Sequence, residues 1–370
     1  MNTRDANSQA MQATAPALAA HQVIRPEIAA MHAYPVVDAT GYIKLDTMEN
    51  PYRMSPALRE QLAKRLAELE INRYPVPSYH RLKQLITEKL GIPQGFDVVV
   101  GNGSDEVITL LTNIIAQPGA CIVAPAPSFV MYALAAKIAG VRFVPVNLKP
   151  DFTLDLPAML EAIEREKPAL THVCFPNNPT GNSFKVEDIE AILKAAPGLV
   201  VIDEAYQPFA LDTWMPRLVG YPNLVVMRTV SKLGLAGLRI GYACGAKPWT
   251  DALEKVRPPY NIGVLHEAAA EFALENYEVL AEQATRLRLD RSNLSAGLGK
   301  IVGVEQFPSK ANFILTRVPD GARTYEGLKA RKIMVKDVSK QHALLANCLR
   351  ISVSTPEENT LLLAALSASV

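Results

Sequence analysis

Net charge is nearly absent from this chain: 38 lysines and arginines stand against 37 aspartates and glutamates, a formal +1 over 370 residues. Without an excess of either sign there is no electrostatic case for nucleic acid or an anionic membrane as partner, which leaves small molecules. Cysteine is scarce. Cys121, Cys174, Cys244 and Cys348 lie far apart, three of them in apolar runs that read as buried strands, so core thiols in a reducing compartment are expected. No cysteine pair has zinc-ligand spacing and the six histidines never fall four apart, so no metal site is expected. The first 22 residues lack both a basic start leading into an apolar core and an uncharged stretch long enough to span a bilayer. A cytoplasmic protein with a loose N-terminus is the expectation. There is no internal repeat and no low-complexity block.

What the chain does have is size and alternation. At 40.3 kDa it exceeds the usual single domain, so two domains are expected. Apolar, β-branched runs recur with helical segments between them: "DVVVG" at 97, "ACIVAPAPS" at 120, "VRFVPVNL" at 141, "THVCFPNN" at 171, "GLVVIDEAY" at 198 and "NLVVMRTVSK" at 223. That pattern predicts an α/β architecture with a mostly parallel central sheet flanked by helices. Helices are predicted from 104 ("SDEVITLLTNIIA") and from 185 ("KVEDIEAILKAA"). After "RPPYNIG" at 257 a long amphipathic helical stretch runs to about 297 and then gives way to "NFILTRV", "IMVKDV" and "CLRISVS", the strands of a smaller α+β unit. The expected organisation is an N-terminal arm (1–41) contributing to the small domain, a large domain (42–256) and a small C-terminal domain (257–370).

Ligands of open α/β sheets bind at the carboxyl ends of the strands. Four runs end there on polar side chains: "GNGSDE" from 101, "FPNNPTG" from 175, "VIDEAY" from 201 and "RTVSK" from 228. Asp203 follows "LVVI" and needs a cation if it is buried unpaired. It suits a protonated pyridine nitrogen, although an aspartate here could also cap the next helix. Lys232 supplies an amine that can join a cofactor aldehyde and then carry a proton, or can lie on a solvated helix face. Gly103 and Ser104 open an apolar-periodic helix whose N-terminus suits a phosphate, with Ser231 and Arg239 as further donors. Gly103 alone could equally be a turn glycine, and Ser231 a helix cap. "NNPTG" is a turn by composition, from which Asn178, helped by Tyr206, could reach a ring oxygen.

The stretches "FPNNPTGNS", "VIDEAYQPF" and "RTVSKLGLAGLRIGY", in this order and spacing, resemble the fold-type I pyridoxal-phosphate aminotransferases. "KLDTMENPY", "NRYPVP" and "NCLRISVSTPEEN" are similar to the histidinol-phosphate aminotransferase branch of the class II family, and the likeness runs from about Arg25 to the C-terminus. The resemblance implies pyridoxal 5′-phosphate as cofactor, Lys232 as the Schiff-base lysine, Asp203 as partner of the pyridine nitrogen, and Tyr206 and Asn178 as contacts of the ring hydroxyl. It implies Phe129 stacked on the ring, where the plain alternative is a core aromatic, and Gly103, Ser104, Ser231 and Arg239 around the phosphate. Tyr74 would reach the phosphate from the partner subunit of a homodimer. Arg350, with Lys336, Tyr34 and Asn50, would bind substrate, since a guanidinium grips an anion in a way lysine does poorly. The implied reaction is transamination of L-histidinol phosphate with 2-oxoglutarate in histidine biosynthesis. An aromatic or aspartate aminotransferase, a phosphothreonine decarboxylase or a non-catalytic regulator would share the cofactor residues. The chain departs from the family pattern twice. Lys232 and Arg239 are one residue closer than is usual, which calls for a tighter turn, and Lys336 stands where the branch often has arginine.

Overall fold

The computed structural model describes residues 18–33 and 37–370. The chain divides into a unit ending at Val37 and a body from Asp38 to Val370. The first carries two single-turn helices, Ala20–Val23 and Pro26–Ala29. The body contains twelve strands: β1 (Ile43–Leu45), β2 (Asp97–Asn102), β3 (Cys121–Ala126), β4 (Arg142–Asn147), β5 (Leu170–Cys174), β6 (Leu199–Asp203), β7 (Leu224–Thr229), β8 (Ile240–Gly245), β9 (Glu305–Gln306), β10 (Phe313–Arg317), β11 (Ile333–Asp337) and β12 (Cys348–Ser352).

Seven strands make one sheet in the order β2-β8-β7-β6-β5-β3-β4, in which only β8 runs against its neighbours. This is the mostly parallel sheet that the apolar runs predict. Its central strands are buried on both faces: Val200, Val201 and Ile202 of β6 and Leu224, Val225 and Val226 of β7 are fully inaccessible. Burying each such side chain contributes roughly 1.5–3 kcal/mol, so this layer is the rigid part of the molecule. The chain leaves β3 for β4 on one side and returns to β5 on the other. That reversal opens a crevice at the carboxyl ends of β3 and β5, the place where open α/β sheets take ligands.

β8 is absent from the predicted runs because two of its six residues are glycine. Gly241 is required there: a Cβ on it would lie 2.5 Å from the backbone carbon of Gly103. The predicted helices form at Gly103–Ile115 and Val186–Ala195, and the long helical stretch is two helices, Val264–Glu275 and Tyr277–Leu298. Asp105 and Glu106 in the first turn of Gly103–Ile115 favour that helix through its dipole.

A second sheet, ordered β1-β11-β12-β10-β9, contains the three strands expected of the small domain. It also takes β1, which the boundary at 42 places in the large domain. Ile43, Lys44 and Leu45 run parallel to Ile333, Met334 and Val335, so residues 43–45 belong to this sheet. Three residues were too few to register as a strand in the sequence; pairing with β11 makes them one. All four cysteines are buried and unpaired. Among the described residues, no helix is long and apolar enough to cross a membrane.

Candidate active site

The carboxyl ends of β5, β6 and β7 surround a cavity of about 310 Å³. Of the residues singled out in the sequence, Ser104, Phe129, Asn178, Asp203, Tyr206, Ser231, Lys232 and Arg239 line it. They come from five separate segments of the chain, and strand register brings them together: Cys174 at the end of β5 lies beside Asp203 at the end of β6, which lies beside Met227 of β7.

Asp203 is almost fully buried and does not cap a helix, since the next one begins at Gln207 with Tyr206 as its N-cap. Its Oδ1 accepts from Ala205 N at 3.0 Å and its Oδ2 from the Tyr132 hydroxyl at 2.7 Å. Burial pushes its pKa up to about 6 against those two donors, with Asp105 and Glu204 adding to the rise. A carboxylate so placed gains most from a cation arriving in the cavity. In the same cavity, Lys232 Nζ donates to Thr47 O at 3.0 Å. Burial first, then the neighbouring charge of Arg350, lowers its pKa to about 8, partly opposed by Glu49 and Asp105. At pH 7 roughly a tenth of this amine is then free base, far more than for an ordinary lysine, and the free base is the form that acts as nucleophile or proton acceptor.

Asn178 and Tyr206 act as a pair, the Asn178 amide donating to the Tyr206 hydroxyl at 3.0 Å. Arg350 donates to Asn178 Oδ1 at 2.6 Å and to Asp46 O at 2.7 Å. It is buried, not a surface strand residue. Arg350 sits on β12 directly opposite Lys336 on β11, so both project from one face of the second sheet.

At the other end of the cavity, Gly103 begins its helix at φ +79°, and a Cβ there would come within 2.5 Å of an Arg239 terminal nitrogen. Glycine therefore lets the guanidinium lie against the helix N-terminus, where Arg239 also pairs with Asp105 at 3.2 Å. Ser231 does not cap a helix; its hydroxyl accepts from Thr229 at 2.9 Å. The short interval from Lys232 to Arg239 is spanned by two 3₁₀ turns, Ser231–Leu233 and Ala236–Leu238, which are tighter than α-helix.

Gly103, Arg350, Lys336, Asn50 and Tyr74 are not among the residues that line the cavity. The Asn50 amide donates to Leu233 O at 3.2 Å and to Gln283 Oε1 at 2.9 Å, bracing the turn that carries Lys232. Tyr74 is 79% exposed and stacks on Tyr260 at 4.6 Å, outside the cavity. Tyr34 lies outside the described residues. Conversely, the structure brings in residues with no assigned role. Thr47, Met48 and Glu49 of the "DTMENP" stretch line the cavity. Tyr132, three residues after Phe129 in the first turn of the helix Met131–Ala139, holds Asp203. Next to Asp203, Glu204 forms a buried ion pair with Arg228 at 2.8 Å and accepts from Trp214 N and the Thr213 hydroxyl. Among the described residues there is no cluster of three or more histidine, cysteine or acidic side chains able to hold a metal ion.

An amine able to form a carbonyl adduct, a buried acid waiting for a cation and a helix N-terminus beside an arginine suit an aromatic aldehyde that carries a ring nitrogen and a phosphate. Comparison with known proteins agrees. A family described as "Aminotransferase class I and II" matches residues 40–366. The chain is 55% identical to histidinol-phosphate aminotransferase 2 of Cupriavidus pinatubonensis, covering 94% of this chain and 97% of that one. It is 52% identical to histidinol-phosphate aminotransferase 1 of Ralstonia nicotianae, covering 94% and 95%. Among solved structures, histidinol-phosphate aminotransferase from Sinorhizobium meliloti in complex with pyridoxal-5′-phosphate superposes with a TM-score of 0.82 at 25% identity, covering 94% of this chain and 97% of that one. The chain belongs to the class I and II aminotransferases, within the histidinol-phosphate aminotransferase family.

Proposed function

We propose that this protein is a pyridoxal 5′-phosphate enzyme that transfers the amino group of L-histidinol phosphate to 2-oxoglutarate, giving 3-(imidazol-4-yl)-2-oxopropyl phosphate and L-glutamate in L-histidine biosynthesis. The observation that carries the reading is that Lys232 and Asp203 line one cavity, with Arg350 tied to it through Asn178. When bound, the cofactor supplies an electron sink for the pair left on the substrate α-carbon. Everything else is asked of this chain. Asp203 keeps the ring nitrogen protonated, Asn178 and Tyr206 hold the ring hydroxyl, and Phe129 covers the ring face. Gly103, Ser104, Ser231 and Arg239 hold the cofactor phosphate. Lys232 Nζ would hold the cofactor, and the same amine, once free, would be the base that takes the proton from the substrate α-carbon.

Arg350 and Lys336 receive the anionic end of either partner, a phosphate or a carboxylate, since a guanidinium serves both. Exposed Tyr74 supports a homodimer in which a second copy completes the phosphate site. The test is a steady-state comparison of histidinol phosphate, phenylalanine and aspartate as amino donors. Histidinol phosphate is expected to lead in kcat/KM by at least about tenfold, the discrimination a well-fitted pocket gives. Arg350→Ala should raise KM for both donor and 2-oxo acid far more than it weakens the cofactor, and Lys232→Ala should abolish turnover. A preference for phenylalanine or aspartate would assign the chain a different donor.

A further inference from the structure

Tyr132 is a buried phenol that no step above uses. It lies in the first turn of the helix Met131–Ala139, and its hydroxyl donates to Asp203 Oδ2 at 2.7 Å. Its ring lies flat on His172 of β5, with centroids 4.2 Å apart and planes 5° from parallel, and meets Phe129 edge-on at 5.7 Å. His172 is fully buried, and neither ring nitrogen has a partner among the described residues. A buried polar ring without hydrogen bonds is unfavourable where an aliphatic side chain would fill the space, so its flat face under the phenol is what the position supplies.

We infer that Tyr132, seated on His172, is a positioning residue that keeps Asp203 ionised and aimed at the cofactor ring nitrogen. The inference rests on Asp203 as the partner of that nitrogen. Donation from the phenol makes the carboxylate less basic, so a proton shared between Asp203 and a pyridine nitrogen stays on the nitrogen. Two features keep the phenol a donor. Burial and the nearby Asp203 hold its own pKa well above the ordinary value, and burial holds His172 down to about 3, so the ring beneath it stays uncharged. Around Asp203, Cys174 on β5, Glu204 beside it, Tyr206 after it and Asp105 on the helix after β2 supply no positive charge, and the amine of Lys232 lines the same cavity. Tyr132 is thus the side-chain donor that offsets them.

The experiment loads the full-length protein with ¹⁵N-pyridoxal 5′-phosphate and follows the ring-nitrogen chemical shift against pH in wild type, Tyr132→Phe, Asp203→Asn and the double variant. In Tyr132→Phe the nitrogen should move toward its unprotonated value. The Asp203 midpoint, read by ¹³C-aspartate in the cofactor-free chain, should rise by about one to two pH units, as for a lost hydrogen bond to a charged group. The double variant should match Asp203→Asn alone. A Tyr132→Phe protein with lower Tm but unchanged nitrogen shift and midpoint overturns the inference. If Asp203→Asn itself leaves the nitrogen unchanged, the assignment of Asp203 falls, and this inference with it. Should Tyr132→Phe not fold, His172→Leu reads the same nitrogen: a smaller shift in the same direction is expected, and none overturns the inference.

Discussion

Replacing Asp203 with asparagine should weaken cofactor binding yet stabilise the cofactor-free chain, and only above mildly acidic pH. The carboxyl is almost fully buried, and its pKa is raised from 3.8 to about 6, chiefly by burial. The folded chain therefore holds this proton to higher pH than the unfolded chain does, so stability falls as pH rises from 3.8 through about 6. At about 1.4 kcal/mol per tenfold change in acidity, the ionised group costs the empty protein ~3 kcal/mol at pH 8, and ~2 kcal/mol of that appears between about pH 4.5 and pH 8. Asparagine removes the pH-dependent cost but leaves either the Ala205 amide or the Tyr132 hydroxyl without its acceptor, a loss of roughly 1 kcal/mol. Urea unfolding of cofactor-free wild type and Asp203→Asn at both pH values measures the swing. The variant should gain ~2 kcal/mol relative to wild type on going from the lower to the higher pH. A difference independent of pH would refute the claim that a buried, unpaired charge is held ready for a cation.

Two further outcomes follow from the geometry. Arg228→Met should destabilise the protein by about 3–5 kcal/mol, because it strands Glu204 in the core without its cation; denaturant midpoints would show it, and a change below about 1 kcal/mol would mean Glu204 takes up a proton at little cost. Gly103→Ala puts a Cβ 2.5 Å from the Arg239 guanidinium at φ +79°. Backbone strain of about 1–2 kcal/mol and a displaced arginine should lower affinity for pyridoxal 5′-phosphate by about tenfold or more, measured by equilibrium dialysis, and unchanged affinity would remove Arg239 and the helix start from the phosphate site.

Local chemistry alone made much of this protein legible. Runs such as "GLVVIDEAY", short, β-branched and continuously apolar up to Asp203, read as strands buried on both faces that end on a polar residue at the crevice. The polar residues at those strand ends, Asp203, Lys232, Asn178 and Arg239 among them, could therefore be read before any fold was known. Side chains whose role depends on a distant partner could not. Asn50 sits in the same kind of motif, yet its amide is spent on Leu233 and Gln283, more than 180 residues away. Tyr132 looks like any helical aromatic until β6 places Asp203 against its hydroxyl, and the three residues of β1 become a strand only beside β11. Sequence patterning determined which segments are buried and which strand ends face the crevice, because burial follows from composition and period. Tertiary structure decided which buried polar groups share a hydrogen bond, because that depends on strand order and register.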